Sequence, residues 1–188
     1  MANALMPDEI LDSYKAVTPA LCRERGIRVI LTDLDNTLAP YEQPHPDEEI
    51  RAWVAALSAS GVRIAILSNN HGERVRHFSA ELDIPYYPDA HKPGVKVARR
   101  AMAELGGTEA DTAFLGDQIF TDVWTGRRMR CACVFMVPPI RDKKTLFFRA
   151  KRFLERPVIK AYYKRCGRRV AHIGAWPCAA EALFEEKK

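Results

Sequence analysis

Arg28-Val-Ile-Leu-Thr-Asp33-Leu-Asp-Asn-Thr37 joins a run of apolar residues directly to two carboxylates. Val29, Ile30 and Leu31 suit a buried strand, whereas Asp33 and Asp35 cannot enter a core without partners. The strand therefore ends at Asp33, where core meets rim. Two residues apart in extended backbone, the two carboxylates point the same way, and close carboxylates repel. A divalent cation neutralises such a pair, and an all-oxygen site suits Mg²⁺. The plainer alternative makes both aspartates turn residues, and the rest of the chain must decide between them.

Similar runs recur at Val62-Arg-Ile-Ala-Ile-Leu67, Thr112-Ala-Phe-Leu115 and Cys131-Ala-Cys-Val-Phe-Met136, with Tyr86-Tyr87 a candidate short strand. Helical patterns lie between them. One covers about 46–60, with acids in its first turn and Gly61 as its stop, and others cover about 73–82 and 95–105, the last closed by Gly106-Gly107. Alternating strands and helices predict an α/β fold with a doubly wound parallel sheet. Such sheets bind ligands beyond the C-terminal ends of their strands. Those ends carry Asp33-Leu-Asp-Asn-Thr37, Ser68-Asn-Asn70 and Gly116-Asp-Gln-Ile-Phe-Thr-Asp122, with His91-Lys-Pro93 in a connection. Carboxylates, a hydroxyl and an amine thus converge on one rim, and Asp117 supplies a third acid for a cation.

The order Asp33-Leu-Asp-Asn-Thr-Leu38, Ser68, Lys92 and Gly116-Asp117 through Asp122 resembles the four motifs of the haloacid dehalogenase superfamily. Asp35-Asn-Thr-Leu38, Ser68-Asn-Asn70, Ala90-His-Lys-Pro93 and Gly116-Asp-Gln-Ile-Phe-Thr-Asp-Val123 are similar to the YqeG subfamily of type IIIA phosphatases. The resemblance runs from about residue 7 to 155 and leaves the last thirty or so uncovered. It implies a Rossmann-like core and a magnesium-dependent phosphomonoester hydrolase. Asp33 would attack phosphorus. Asp35 would protonate the leaving alcohol and then activate water, with a pKa raised by neighbouring carboxylates. Ser68, Asn69 and Lys92 would hold the phosphoryl group, and Asn36 and Thr37 would shape the loop at the substrate. The metal would be bound by Asp33, Asp117 and the backbone carbonyl of Asp35, with Asp122 acting indirectly or holding Lys92.

About thirty residues separate Thr37 from Ser68, too few for a large cap domain beside a helix and a strand, so the site should be open. Relatives in the subfamily dephosphorylate phosphatidylglycerophosphate to phosphatidylglycerol, which makes a phosphorylated lipid the expected substrate and a small soluble phosphomonoester the alternative.

Charge is unevenly spread. Residues 141–170 hold twelve Lys and Arg against Asp142 and Glu155, a net +10 in a chain of total +5, so the remainder carries −5. The chain reads as a core over 1–140 with N-terminal helices, and a basic, amphipathic, helical segment over 141–188. Leu146, Phe147, Phe148, Phe153, Leu154, Val158, Ile159, Tyr162 and Tyr163 are interleaved with its cations. This face either packs on the sheet or rests on an anionic membrane, and both can hold at once. RNA or a ribosome is the less favoured partner. Pro157 should split the segment into two helices, with Arg156 biased away from helical backbone.

No apolar run approaches the roughly 20 residues of a membrane-spanning helix, and Asp8 and Glu9 interrupt the start where a signal peptide needs apolar residues. A cytoplasmic protein, with peripheral contact at the inner membrane face left open, is expected. Five cysteines without a Cys-x-x-Cys pair fit neither a disulfide scaffold nor a zinc ribbon. Cys131 and Cys133 should be buried on one face of their strand, and Cys166, His172 and Cys178 are too few for a metal site. Among the histidines, His91 alone is expected near the rim. Trp176 and the acidic 181–186 stretch suggest no role.

Overall fold

The computed structural model describes residues 2–70, 72–141, 146–167, 170–172 and 183–184. Strands β1 (Glu9–Ile10), β2 (Val29–Thr32), β3 (Arg63–Leu67), β4 (Tyr86–Tyr87), β5 (Thr112–Gly116) and β6 (Cys133–Met136) form a six-stranded sheet in the order β1-β6-β5-β2-β3-β4. Every neighbouring pair is parallel. Helices α1 (Pro19–Arg25), α2 (Glu48–Ala59), α3 (Glu73–Glu81), α4 (Lys96–Glu104), α5 (Trp124–Met129) and α6 (Leu146–Arg165) cover it.

The two-residue period of the strands divides the core between two faces. Ile30, Ile64, Ile66, Ala113, Leu115 and Phe135 pack with Cys22 of α1, Trp53 and Leu57 of α2, and Phe78 of α3. Val29, Leu31, Ala65, Leu67, Phe114 and Val134 pack with Ala98 and Ala101 of α4, Met129 of α5, and Ile159 and Tyr163 of α6. Burial on both faces explains why the central strands read as unbroken apolar runs.

Local chemistry sets the helix ends. Asp47 caps α2 by accepting the Ile50 N–H at 2.9 Å, worth about 1 kcal/mol. Gly61 stops it with φ +85, a left-handed conformation that glycine adopts without side-chain strain. The expected helices at 46–60, 73–82 and 95–105 are thus α2, α3 and α4, each displaced by two residues or fewer at either end.

Four expectations need correction. Cys131 and Cys133 are both buried but on opposite faces. β6 begins only at Cys133, and the Cys131 N–H still bonds the Gly126 carbonyl at the end of α5, so strand alternation does not include it. Pro157 does not split the basic segment: α6 runs through it from Leu146 to Arg165. Both halves are pinned to the body, the first by buried Arg152 and Glu155 and the second by Ile159 and Tyr163, and this outweighs one lost helical hydrogen bond. The N-terminal region has a single α-helix, two short 3₁₀ turns and the edge strand β1 in place of several helices. Beyond residue 167 the described residues are strand, not helix: β7 (Val170–His172) and β8 (Leu183–Phe184) pair antiparallel. Trp176, Cys178 and His71 lie outside the described residues.

Candidate active site

Beyond β2 the strand order runs one way to β3 and β4 and the other to β5 and β6, so the sheet's switch point lies beside β2. Thr32 is level with Ile66 of β3 and Leu115 of β5, which brings Asp33, Ser68 and Asp117 out at neighbouring strand ends. The Asp33 N–H donates to the Leu115 carbonyl at 2.9 Å, and the Ser68 N–H to the Tyr87 carbonyl at 3.1 Å. Above these ends opens a cleft of about 250 Å³ lined by Asp33, Asp35, Ser68, Asn69, Lys92 and Asp122, with Tyr41, Asn70, Gln118, Thr121 and Lys151 completing the wall.

Lys92 is the hub. Its Nζ donates to Asp33 Oδ1 at 2.6 Å, Asp122 Oδ1 at 2.7 Å and the Leu67 carbonyl at 3.0 Å, which uses all three ammonium protons. Asn69 fixes the lysine's backbone, accepting its N–H at 2.7 Å and donating to its carbonyl at 3.1 Å. Asp122 reaches Lys92 because the chain after β5 makes a wide π-helical turn over Ile119–Val123, with Asp122 Oδ2 accepting the Gln118 N–H at 3.1 Å. Gly116 leaves room for this: a Cβ there would lie 2.3 Å from that of Asp122.

Asp117 is fully buried. Its Oδ2 pairs with Arg152 of α6, whose Nη1 also donates to the Asp117 carbonyl and to Glu155 Oε2, both at 2.8 Å. Glu155 Oε1 in turn accepts the Ile119 N–H at 2.9 Å. Asp117 Oδ1 has no hydrogen-bond partner. One oxygen each from Asp33, Asp117 and Asp122 lie within 4.8 Å of one another.

Three buried carboxylates are held by two cations, Asp33 and Asp122 by Lys92 and Asp117 by Arg152, which Glu155 also shares, and the excess negative charge is felt. Burial pushes the Asp33 carboxyl well above the ordinary range, with Lys92 opposing and Asp122 and Asp117 adding to the rise. Burial likewise pushes Asp117 up to about 6, against the pull of Arg152. For Lys92, burial disfavours the charge but Asp122 and Asp33 outweigh it and hold the ammonium above its ordinary value. An orphaned buried oxygen, clustered acids and raised carboxyl pKa values are the features a divalent cation would satisfy, so the residues present fit one.

Asp35 stands on the opposite wall. Arg74 of α3 donates to its Oδ1 at 2.6 Å and to the Gln43 and Pro40 carbonyls at 2.7 and 2.9 Å, while Asn70 Nδ2 lies 3.3 Å from its Oδ2. The carboxylate crowding expected at Asp35 falls instead on Asp33 and Asp117. Ser68 Oγ accepts the Asn70 N–H at 3.0 Å.

The structure thus brings Asp33, Asp35, Ser68, Asn69, Lys92 and Asp122 to one cleft, with Asp117 buried behind Asp33 and Asp122 and outside its lining. Asn36 and Thr37 are buried and their side chains do not line it. They shape the loop: Asn36 takes φ +65 and its carbonyl accepts the Ile140 N–H at 3.0 Å. His91, exposed beside Lys92, is not part of the lining. Sequence reasoning missed Arg74, Arg152 and Glu155. A signal existed for the last: it is the single acid of α6 among seven Lys and Arg, and an acid isolated in a basic helix is a candidate for a buried pair.

A family model described as haloacid dehalogenase-like hydrolase matches residues 15–130. The "Probable phosphatase YqeG" of Bacillus subtilis (strain 168) is 32% identical over 160 residues, covering 85% of this chain and 92% of that protein. Among solved structures, a hypothetical protein from Xanthomonas campestris superposes with a TM-score of 0.50 at 14% identity, over 62% of this chain and 71% of that one, a likeness of fold. The cobalt-bound deoxy-D-mannose-octulosonate 8-phosphate phosphatase of Haemophilus influenzae gives 0.49 at 19% identity, over 74% and 91%. The chain belongs to the haloacid dehalogenase-like hydrolase family, on the branch of YqeG, and is a phosphatase.

Proposed function

We propose that this phosphatase hydrolyses phosphomonoesters through a phosphoryl group carried on Asp33, with phosphatidylglycerophosphate as substrate and Mg²⁺ as its metal. The observation that carries the reading is Asp33 itself, a carboxylate at the switch point of the sheet, oriented by Lys92 and open to a phosphate-sized cleft.

In the first step an Asp33 oxygen attacks phosphorus, the ester P–O bond breaks, and Asp35 gives its proton to the departing alkoxide. In the second, water attacks the aspartyl phosphate, Asp35 takes the water's proton, and inorganic phosphate leaves with Asp33 restored. Ser68 and Asn69 hold the phosphoryl oxygens, and Lys92 keeps Asp33 in place. Asp33, Asp117 and the Asp35 carbonyl would hold Mg²⁺, with Asp122 acting through Lys92, and the bound ion would offset repulsion between carboxylate and phosphate dianion.

Two observations support a lipid substrate beyond the resemblance. Among the described residues no cap domain covers the rim, so a phosphate presented on a large object can enter. Lys151 of α6 lines the cleft and adds positive charge at its mouth. No helix among the described residues is long and apolar enough to cross a membrane, so the lipid would be met from a membrane face. A small soluble phosphomonoester would use the same residues, and the cleft volume admits it.

The test is turnover of phosphatidylglycerophosphate in detergent mixed micelles beside a panel of soluble phosphomonoesters, with Mg²⁺ and with chelator. Lipid turnover should lead the panel and vanish with chelator; a soluble ester turned over far faster would displace the lipid. Asp33→Asn should abolish both turnover and acid-stable trapping of phosphate on the protein while leaving the circular dichroism unchanged. Wild-type rates in that variant would mean a different nucleophile.

A further inference from the structure

Isolated exposed apolar side chains are ordinary on a protein surface; their distribution is what carries information. Among the described residues the exposed large apolar side chains are Tyr41, Trp124, Ile140, Phe153 and Leu154. All five connect to the same end of the sheet. Tyr41 lines the cleft. The Ile140 N–H holds the carbonyl of Asn36 in the catalytic loop. Trp124 directly follows the π-helical turn that carries Thr121 and Asp122 into the cleft. Phe153 and Leu154 follow Lys151, which lines the cleft, and Arg152, which grips Asp117. They are also the most exposed of the five, at 65% and 61%. The opposite end of the sheet, with its turns at Gly26, Gly61 and Gly106, contributes none of them.

Charge accompanies this apolar collar. The outward arc of α6 presents Phe153, Leu154, Pro157, Lys160, Lys164 and Arg165. No acid lies on it, because Glu155, the only one in the helix, is buried against Arg152. Arg156 sits over the Phe153 ring at 5.6 Å, and Arg128 over Trp124 at 5.9 Å. Aromatic and aliphatic side chains backed by cations, with the one acid of α6 turned inward, match on that helix an interface whose surface is anionic and whose interior is apolar.

We propose that this collar is a docking surface for an anionic lipid bilayer, which seats the protein with its active-site mouth against the headgroups. The inference rests on the lipid-substrate reading and adds the orientation in which the enzyme meets that lipid. α6 would then have two tasks two residues apart, Arg152 inward on Asp117 and Leu154 outward to the bilayer.

Flotation of the full chain with vesicles tests this, using phosphatidylcholine alone and an equal mixture of phosphatidylcholine and phosphatidylglycerol. The protein should float with the mixed vesicles and not with the neutral ones. The double variant Phe153→Ser/Leu154→Ser should partition about tenfold less or weaker still, since two large apolar side chains lose their burial. Lys160→Glu/Lys164→Glu should also weaken binding and blunt its salt dependence. All should hydrolyse para-nitrophenyl phosphate at the wild-type rate, since neither pair lines the cleft. A wild-type protein that stays unbound, or a Phe153→Ser/Leu154→Ser variant that floats unchanged, overturns the proposal. Binding lost in the lysine variant alone also overturns it, in favour of a polyanion such as RNA. The micelle assay reads the substrate separately: phosphatidylglycerophosphate turnover without vesicle binding sinks the docking surface alone, and vesicle binding without turnover sinks the substrate alone.

Discussion

Two arginine–aspartate pairs flank the cleft, one on the α3 side and one on the α6 side, and they differ in burial more than in chemistry. On the α3 side Arg74 meets Asp35 at 2.6 Å with side chains 21% and 13% exposed. On the α6 side Arg152 meets Asp117 with side chains 7% and 0% exposed. The proton transfers proposed for Asp35 need solvent within reach, and Asp35 has it. The cation-holding role proposed for Asp117 gains from a buried partner, and Arg152 is one. The same residue pair is partly solvated on one wall and sealed from water on the other.

The sharpest way to break this contrast is to remove the buried cation. Arg152→Met keeps volume but leaves Asp117 and Glu155 buried without their shared partner, and it should cost about 3–5 kcal/mol of stability. Urea denaturation with chelator present measures it. A loss under about 1 kcal/mol would mean that the α6 pair behaves like a surface pair, and the contrast between the walls would disappear.

A second test uses pH. The folded-state pKa of Asp117 is raised from the ordinary 3.8 to about 6, and that of Asp33 is raised as well. Stability that depends on these protons is fully present below the unfolded-state value and is lost as pH rises through the folded-state value. Metal-free protein should therefore lose on the order of 2–3 kcal/mol from this wall as pH rises from 3.8 through about 6. Mg²⁺ should return a similar amount at neutral pH, about 2.7 kcal/mol at a hundredfold excess over its Kd, and less in acid, where protons occupy the ligands. Calorimetric Mg²⁺ titrations at several pH values give the affinity directly. An affinity independent of pH across this window would show that these carboxylates do not bind the ion.

The two walls were also unequally legible in the sequence. Apolar runs and their terminal acids placed Asp33, Ser68 and Asp117 at strand ends, because buried strands and strand-end chemistry are both local patterns. Lys92 and Asp122 were found by the order of motifs, although their convergence on Asp33 depends on the π-helical turn and on the missing side chain at Gly116, neither of which has a local signature. The α6 wall was hidden by its own composition. Arg152 is one of twelve cations in a segment read as a surface, and only its i,i+3 spacing from Glu155 hinted at a pair. Strand β1 is two residues long and is held by pairing to β6 and by the Tyr162 hydroxyl, which accepts the Ile10 N–H at 3.1 Å. Those long-range contacts have no period to detect. Pro157 misled for the same reason, since a local rule about helix breaking was overridden by packing on both sides of it.

The smallest expected change in stability, and the finest test of the contrast, is at Arg74. Because this pair is partly solvated, Arg74→Ala should cost about 1 kcal/mol or less in urea denaturation. Its effect on rate should be out of proportion to that. Arg74 ties Asp35 to the Pro40 and Gln43 carbonyls at once, so its loss frees both the carboxylate and the loop behind it. Misplacing a proton donor by an ångström costs up to about a hundredfold in kcat, with KM changed far less because Ser68 and Asn69, the proposed phosphoryl holders, remain. Arg74→Lys separates the two ways in which the arginine could act. A lysine keeps the charge but cannot reproduce the planar fork that spans three acceptors. If Arg74 works by orienting Asp35, Arg74→Lys should be nearly as slow as Arg74→Ala. If kcat returns to wild type in Arg74→Lys, charge alone suffices, and the exposed wall contributes a field where the buried wall contributes a geometry.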